Sequence, residues 1–308
     1  ADRRQRQMCI RDRARAPQSP QSDCPSVQRS AGARGIQRVL VGRPTTDGAG
    51  VRMTRIIATP ELEHFDPFLL LDEFRSDDAD DYIAGFPDHP HRGFETVTYM
   101  LAGHMAHADN QGNRGELGPG SVQWMTAGRG IVHSEMPRQD DGLMWGFQLW
   151  VNLPASDKMT APRYQDIAAA EVPRVAVEEG VEARVIAGDL AGVTGPVTGV
   201  ATSPLYFDLS FAGRAEAAIP TPAIHNVFVY VFDGSVHIMS ERGGVVSRGE
   251  IALLDEGETA VLRSDADARC LLVGGRPLGE PIARYGPFVM NTQEEIMQAI
   301  SDFQSGRL

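Results

Sequence analysis

The sequence predicts an all-β protein of two similar barrels, followed by one C-terminal helix. Short alternating or apolar runs recur between glycine and proline turns, and the 308 residues include 32 Gly and 20 Pro. Many short strands separated by such turns are typical of antiparallel sandwiches and barrels. The strand lengths and turn rhythm of the first half return in the second half. This repetition indicates an internal duplication, with one barrel in each half.

The first half is predicted to be built from strands alone. Period-two alternation or a short apolar run marks each strand, because successive side chains point to opposite faces of a sheet. The last strand places four apolar side chains on one face: Trp145, Phe147, Leu149 and Val151. The predicted strands cover residues 36–41, 52–58, 67–74, 93–101, 104–109, 121–126, 131–136 and 144–153.

The second half repeats this pattern after a connecting segment. Residues 167–173 are predicted as a linker or a short helix. Residues 249–254 occupy a place like that of residues 120–125, since a glycine precedes an apolar strand in both. The predicted strands cover residues 183–187, 205–211, 226–232, 235–239, 250–254, 260–263 and 270–275.

The chain is predicted to end in a helix. Asn291 and Thr292 precede two glutamates in the pattern of a capping box, which marks a helix N-terminus. Apolar residues then follow at helical spacing and form one face that can pack on a barrel. These residues are Ile296, Ala299, Ile300 and Phe303.

These patterns divide the chain into three segments. Residues 1–35 are rich in Arg, Gln, Ser and Pro without a sustained apolar period, which predicts a disordered or non-native tail. Within it, residues 7–13 (QMCIRDR) look like translated sequencing-adapter sequence. Residues 36–165 are predicted as the N-terminal barrel, and residues 166–308 as the C-terminal barrel with the helix.

Composition narrows the class of protein. The net charge of −12 argues against direct nucleic-acid binding, which needs clustered Lys and Arg, although a protein partner that itself binds DNA is compatible with it. No apolar run reaches the roughly 18 residues of a transmembrane helix, and the N-terminus lacks a signal-peptide pattern. Three cysteines, two of them in the tail, indicate a reducing compartment. We therefore expect a cytoplasmic protein without a membrane anchor.

The most informative motif is a pair of ligand-type residues that occurs twice. His89 and His91 are two residues apart, as are His133 and Glu135, and residues so spaced on a strand share a face. If the two strands face each other inside a barrel, three imidazoles and one carboxylate converge on one cation. This donor set suits a redox-capable first-row metal, with iron first among the divalent transition metals that fit.

The carboxylate ligand has two candidates. Glu95 lies four residues after His91 and shares its face if the strand is regular. Residue types and spacing do not choose between Glu95 and Glu135. The carboxylate that does not bind the metal either accepts a hydrogen bond from a ligand imidazole or is an ordinary strand carboxylate. The second half has only the isolated His225 and His237, so the metal site is predicted in the N-terminal barrel.

Two long motifs resemble the pirin family of bicupins. The first spans residues 89–97 (HPHRGFETV), and the second spans residues 123–137 (QWMTAGRGIVHSEMP). The resemblance continues through LWVNL at residues 149–153 and ends in YGPFVMNT at residues 285–292. It covers about residues 36–305 of the chain.

The resemblance implies a bicupin fold, in which two cupin barrels stack and the N-terminal one holds a single iron ion. It assigns the metal ligands to His89, His91, His133 and Glu135, and it leaves Glu95 as the candidate partner of a ligand imidazole. The activity it implies is that of an Fe(II)-dependent quercetin 2,3-dioxygenase. Such an enzyme cleaves the heterocyclic ring of a flavonol with dioxygen and releases carbon monoxide, and Glu135 would then also act as a catalytic proton acceptor.

The same resemblance implies an alternative function. Some pirins are regulators that bind a transcription factor or a metabolic enzyme, and here the iron would sense the redox state. The acidic body of this chain suits a protein partner with a basic patch.

Overall fold

Each half of the chain contains two antiparallel sheets, one of seven strands and one of four, that enclose an apolar interior. The computed structural model describes residues 32–308. Residues 1–31 of the predicted tail therefore lie outside the described residues. The all-β prediction with a single C-terminal helix is confirmed for the described part of the chain.

The strands up to residue 167 include a counterpart of each of the eight predicted for the first half. They are β1 Ile36–Val41, β2 Arg43–Asp47, β3 Val51–Ile57, β4 Phe68–Ser76, β5 Phe86–His91, β6 Phe94–Ala102, β7 Met105–Asp109, β8 Arg114–Leu117, β9 Val122–Thr126, β10 Ile131–Pro137, β11 Met144–Asn152 and β12 Arg163–Ile167. A short 3₁₀ turn at Ala79–Asp81 lies between β4 and β5.

The second half follows with fourteen strands and the helix. They are β13 Arg174–Glu178, β14 Val181–Ala187, β15 Asp189–Leu190, β16 Val193–Thr194, β17 Leu205–Phe211, β18 Ala215–Pro220, β19 Asn226–Asp233, β20 Ser235–Ile238, β21 Gly244–Ser247, β22 Glu250–Leu254, β23 Thr259–Ser264, β24 Ala268–Gly275, β25 Ala283–Tyr285, β26 Phe288–Met290 and α1 Gln293–Gln304. The segment between β12 and β13 forms turns, so the predicted linker is confirmed and the alternative of a short helix is wrong.

Strand order confirms the predicted duplication. The large sheets run β12-β9-β6-β11-β4-β3-β2 and β1-β22-β19-β24-β17-β14-β13. The small sheets run β5-β10-β7-β8 and β18-β23-β20-β21. Every strand of these four sheets therefore has an equivalent in the other half, and β9 matches β22 as their shared glycine-strand pattern predicted. The two-stranded sheets β15-β16 and β25-β26 are additions to the second half.

The first strand of the chain crosses to the other half. β1 pairs with β22 and completes the large sheet of the C-terminal half. Arg34 precedes it and is buried, with its guanidinium donating to the Thr221 hydroxyl at 2.8 Å. The folded chain thus includes residues 32–35, which the sequence had assigned to the tail. The division into domains at residues 165 and 166 stays a prediction, since β12 spans it.

The two large sheets pack back to back and form the main core. On β19, Phe228, Tyr230 and Phe232 face the N-terminal half, while the alternate residues face the small sheet of their own half. The face predicted for β11 joins this interface through Phe147, Leu149 and Val151. Because these strands are buried on both faces, apolar contacts run without a break from one half into the other.

The interiors of the two halves differ. Between the sheets of the C-terminal half, β18 and β23 contribute Ala217, Ile219, Ala260 and Leu262 to a closed apolar cluster. The equivalent strands of the N-terminal half are β5 and β10, which carry the histidine motifs. A cavity of about 560 Å³ opens beside them. The N-terminal half therefore has room for a ligand beside its polar strands, whereas apolar side chains occupy the equivalent place in the C-terminal half.

The helix docks as its sequence pattern predicted. The Thr292 side chain accepts from the Glu295 backbone N–H, and the Glu295 carboxylate accepts from the Thr292 N–H, which completes the capping box. Ile296 and Ala299 are buried against Phe288 and Met290 of the last hairpin. Within residues 32–308, no helix is both long enough and apolar enough to span a bilayer.

Candidate metal centre

The two histidine motifs lie on neighbouring strands of the same sheet. β5 and β10 pair antiparallel, and His133 stands directly opposite His89 in the register. His91 ends β5, two residues further along on the same face. The ladder slips between His133 and Glu135, a bulge that re-aims the side chains after it.

The three imidazoles form one cluster. One ring nitrogen from each of His89, His91 and His133 lies within 4.8 Å of the other two. Ring centroids are 4.5 Å apart for His89 and His133, and 5.0 Å apart for His91 and His133. These three residues could hold a metal ion.

The hydrogen bonds of these rings fit a metal. His133 is buried, yet neither ring nitrogen has a hydrogen-bond partner among the described residues, and the same holds for Nδ1 of His91. Such orphaned buried nitrogens are costly unless a cation binds them. Nδ1 of His89 lies 2.8 Å from the Pro87 carbonyl, a contact that leaves Nε2 for a metal and fixes the ring.

The electrostatics favour the metal-binding form of the rings. Burial, followed by the neighbouring His133 and His89, holds the pKa of His91 well below its usual value. Burial also lowers the pKa of His133, with His89 and His107 adding to the effect. A neutral imidazole offers a lone pair, so the cluster is ready for a cation at neutral pH.

Glu135 lies on the wall of the same cavity as His89 and His91. Its Oε1 accepts a hydrogen bond from the Thr98 hydroxyl at 2.8 Å, and the Gln148 amide lies 3.4 Å from its Oε2. The residue is only 4% exposed. Its carboxylate lies outside the tight imidazole cluster, so its role as a metal ligand remains a proposal.

Glu95 is not brought to the imidazoles. Gly93, with φ +89°, breaks the strand between His91 and β6, so the regular alternation assumed from sequence does not continue. Glu95 instead shares the face of Val97 and Tyr99, toward the other half, and accepts from the Thr126 hydroxyl at 2.6 Å. Burial raises its pKa. No hydrogen bond joins it to an imidazole within residues 32–308, and its role as the partner of a ligand imidazole stays a prediction.

Other residues of the cavity were not found from sequence. Gln148 and Trp150 of β11 face it, on the side opposite the apolar face that the alternation revealed. Gln148 is a polar residue between two apolar residues of β11, and this pattern could have identified it as facing a polar cavity. Arg284 and Pro287 also line the cavity, and they arrive from the last hairpin. Nothing in their local pattern indicates that contact.

An aromatic wall borders the metal ligands. The Trp150 ring lies 5.3 Å from the His91 ring and 4.4 Å from the Phe94 ring, centroid to centroid. Arg284 lies on the Trp150 ring, with its Cζ 4.9 Å from the centroid. A planar molecule entering this cavity would contact Trp150 and reach the imidazoles.

Comparison with known proteins places the chain in a family. The family model described as Pirin matches residues 50–151, and the one described as Pirin C-terminal cupin domain matches residues 206–308. A Pirin-like protein of Caulobacter vibrioides is 50% identical over 275 residues, which cover 89% of this chain and 99% of that protein. A Pseudomonas aeruginosa protein named "Putative quercetin 2,3-dioxygenase" is 50% identical over 279 residues, covering 89% of this chain and 98% of its own.

A solved structure shows the same fold. The crystal structure of quercetin 2,3-dioxygenase from Acinetobacter baumannii superposes with a TM-score of 0.82 at 35% identity. The match covers 89% of this chain and 98% of that one. The bicupin fold is therefore confirmed, and the chain belongs to the pirin family.

Proposed function

We propose that this protein is a non-haem iron dioxygenase that cleaves the heterocyclic ring of flavonols such as quercetin, where the C2–C3 and C3–C4 bonds break and C3 leaves as carbon monoxide. The observation that carries the proposal is the cluster of three buried imidazoles, two with unpartnered nitrogens, at the wall of an aromatic-lined cavity of about 560 Å³. That volume suits a drug-sized planar ligand. Relatives named as quercetin 2,3-dioxygenases support the choice of substrate.

Four residues are assigned to the metal: His89, His91, His133 and Glu135. When bound, Fe(II) supplies a Lewis acid and a redox centre for dioxygen chemistry. The Glu135 carboxylate accepts the proton of the flavonol 3-hydroxyl, and Thr98 holds that carboxylate in place. Overall, one flavonol and one dioxygen give one ester product and one carbon monoxide, with all atoms conserved.

The first test is iron retention and turnover in the same samples. Protein loaded with Fe(II) under anaerobic conditions is desalted, analysed for iron and then mixed with quercetin and dioxygen. We expect the wild type to keep iron and consume quercetin, and His133→Ala to lose both. His237→Ala is the matched control, because this histidine lies in the C-terminal half beside Asp265, away from the cavity.

Two outcomes would contradict the proposal. Turnover by a His133→Ala protein that holds no iron would show that the cluster is not the reaction centre. Iron retention without turnover in the wild type would favour the regulatory function, in which the bound metal reports redox state to a protein partner.

A further inference from the structure

The last hairpin carries an arginine to the mouth of the metal cavity. β25 and β26 are held beside the metal-bearing segment, since the Val289 N–H donates to the Arg92 carbonyl at 3.0 Å. The Lys158 ammonium also donates to the Val289 carbonyl at 3.1 Å. This anchoring fixes Arg284 in the cavity lining, although it lies 151 residues or more after the three histidines in sequence.

The guanidinium of Arg284 has no acidic partner within ion-pair distance in residues 32–308. Its Nη1 donates to the Leu69 carbonyl at 3.2 Å, and its Nε lies 3.5 Å from the Gly286 carbonyl. Both acceptors are neutral. Arg55, the other arginine of this cavity, differs, because Asp47 and Asp72 both accept hydrogen bonds from it. The positive charge of Arg284 is thus the one left for an incoming group.

The surroundings make an anion at this point favourable. Burial, and then the charge of Arg55, lowers the pKa of Arg284, although an arginine remains cationic throughout the physiological range. The Arg284 side chain is exposed at the cavity mouth, and Asp72, Asp47 and Glu63 act on its charge only from beyond ion-pair distance. A carboxylate or phenolate that enters the cavity can therefore form a direct charge-assisted hydrogen bond with it. Stacking on Trp150 also fixes the plane of the guanidinium.

We propose that Arg284 selects planar aromatic substrates that carry an anionic group, a phenolate or a carboxylate, at the end directed away from the histidines. The Trp150 ring adjoins both Arg284 and His91, so one rigid aromatic body that lies along the edge of Trp150 can reach both. This inference rests on the proposed function in one respect, that the cavity takes an aromatic substrate.

The test compares two ligands that differ in charge alone. Binding of 2-naphthoate and of neutral 2-naphthamide is measured by calorimetry on Fe(II)-loaded protein without dioxygen, for wild type and Arg284→Gln. We expect the naphthoate dissociation constant to rise about tenfold in the variant, since one charge-assisted contact is lost. The naphthamide constant should stay within about twofold. The metal is the same in both proteins, so its own attraction for the carboxylate cancels.

A matched control is present in the same half. Arg75 also stacks on a tryptophan, with its Cζ 4.0 Å from the Trp145 ring centroid, but neither residue lines the cavity. Arg75→Gln should leave both ligands unaffected. Equal losses for naphthoate and naphthamide in Arg284→Gln, or no loss for either, would overturn the inference.

The binding test of the anion site can fail or succeed independently of the proposed dioxygenase function. Binding requires no turnover, so a charge preference that depends on Arg284 in a protein inactive on quercetin would refute the dioxygenase and keep the anion site. Quercetin turnover with no charge preference would refute the anion site alone.

Discussion

At the residue scale, the site depends on groups that have no other partner. The imidazoles of His91 and His133 are buried with lowered pKa values and unpaired nitrogens, which a hydrophobic interior tolerates only if something binds there. Glu135 is different, because Thr98 already satisfies one of its oxygens. The hydrogen bond positions this carboxylate while its second oxygen remains at the cavity wall.

Two buried glutamates allow a matched comparison. Glu135→Gln removes the proposed proton acceptor and metal ligand, so we expect kcat/KM for quercetin to fall about a hundredfold or more. Glu95→Gln changes a carboxyl group that faces the other half and should leave activity within about twofold. Steady-state kinetics on the iron-loaded variants measures both changes in kcat/KM. A large loss in Glu95→Gln with iron intact would restore Glu95 to the site.

Sequence reasoning succeeded and failed at this scale for a physical reason. The His-x-His and His-x-Glu spacing predicted the strand faces because each pair lies within one strand. Glu95 was misplaced because the positive φ of Gly93 interrupts the alternation between His91 and β6. A period-two argument holds only while the strand is continuous.

At the element scale, the C-terminal segment is fastened to the strands that carry the histidine cluster. Arg92, adjacent to His91, is buried and pairs with Asp302 of α1 at 2.9 Å. Lys158 is the only lysine in the chain and is also buried. It donates to the carbonyl oxygens of Gly93 and Val289 and to the Asn152 amide oxygen. The helix and hairpin are thus structural supports of the site.

Removal of the buried ammonium should loosen this support. Lys158→Met leaves three buried acceptors without a donor, and we expect the free energy of unfolding to fall by about 2–4 kcal/mol. Urea denaturation measures the change. The neighbouring Met159 is 54% exposed, so Met159→Ala should cost no more than about 0.5 kcal/mol. Equal stability of the two variants would contradict the supporting role.

The stability that helix docking contributes should depend on pH. Hydrogen bonds from Arg92, and then from Arg307 and Gln298, lower the pKa of Asp302 to about 2. A carboxyl whose pKa is depressed on folding contributes stability that is complete above the unfolded value and is lost as pH falls through the folded one. The thermal midpoint of wild type should therefore exceed that of Asp302→Asn at pH 6, and the difference should shrink as pH falls below 3.8 and vanish only below a pH of about 2. A difference independent of pH would contradict the pairing.

At the scale of the whole molecule, the two halves share one core. Their large sheets pack back to back through aromatic and aliphatic side chains, and β1 joins the sheet of the opposite half. Buried polar contacts cross the interface as well. The Tyr99 hydroxyl donates to the carboxylate of Asp208 at 2.6 Å, and Arg269 donates to the same oxygen at 2.6 Å.

We expect the halves to unfold together. Tyr99→Phe leaves the buried Asp208 with one donor fewer and should lower the free energy of unfolding by about 1–3 kcal/mol. The transition should remain single by tryptophan fluorescence and by far-ultraviolet circular dichroism. Tyr285→Phe, at a residue that is 65% exposed, is the control. Two separate transitions in wild type would contradict a shared core.

The limits of the strands could be predicted from the sequence, but the sheet that each strand joins could not. Alternating runs gave the limits of β1, β17 and β22 without error, and the glycine-strand repeat revealed the duplication. The pairing of β1 with β22 of the other half could not be predicted. The alternation of apolar residues shows which face of a strand is buried, but it does not show which sheet the strand joins. The same holds for Arg284, which reaches the cavity only through the packing of the last hairpin.

The measurement that tests the central claim most directly is the stoichiometry of quercetin consumption by iron-loaded wild type and His133→Ala. Quercetin also oxidises without ring cleavage, so its disappearance alone is insufficient. We predict that wild type takes up one dioxygen and releases one carbon monoxide for each quercetin lost, and that His133→Ala releases none. Quercetin loss in wild type without carbon monoxide, or equal release by both proteins, would contradict a ring-cleaving site on these histidines.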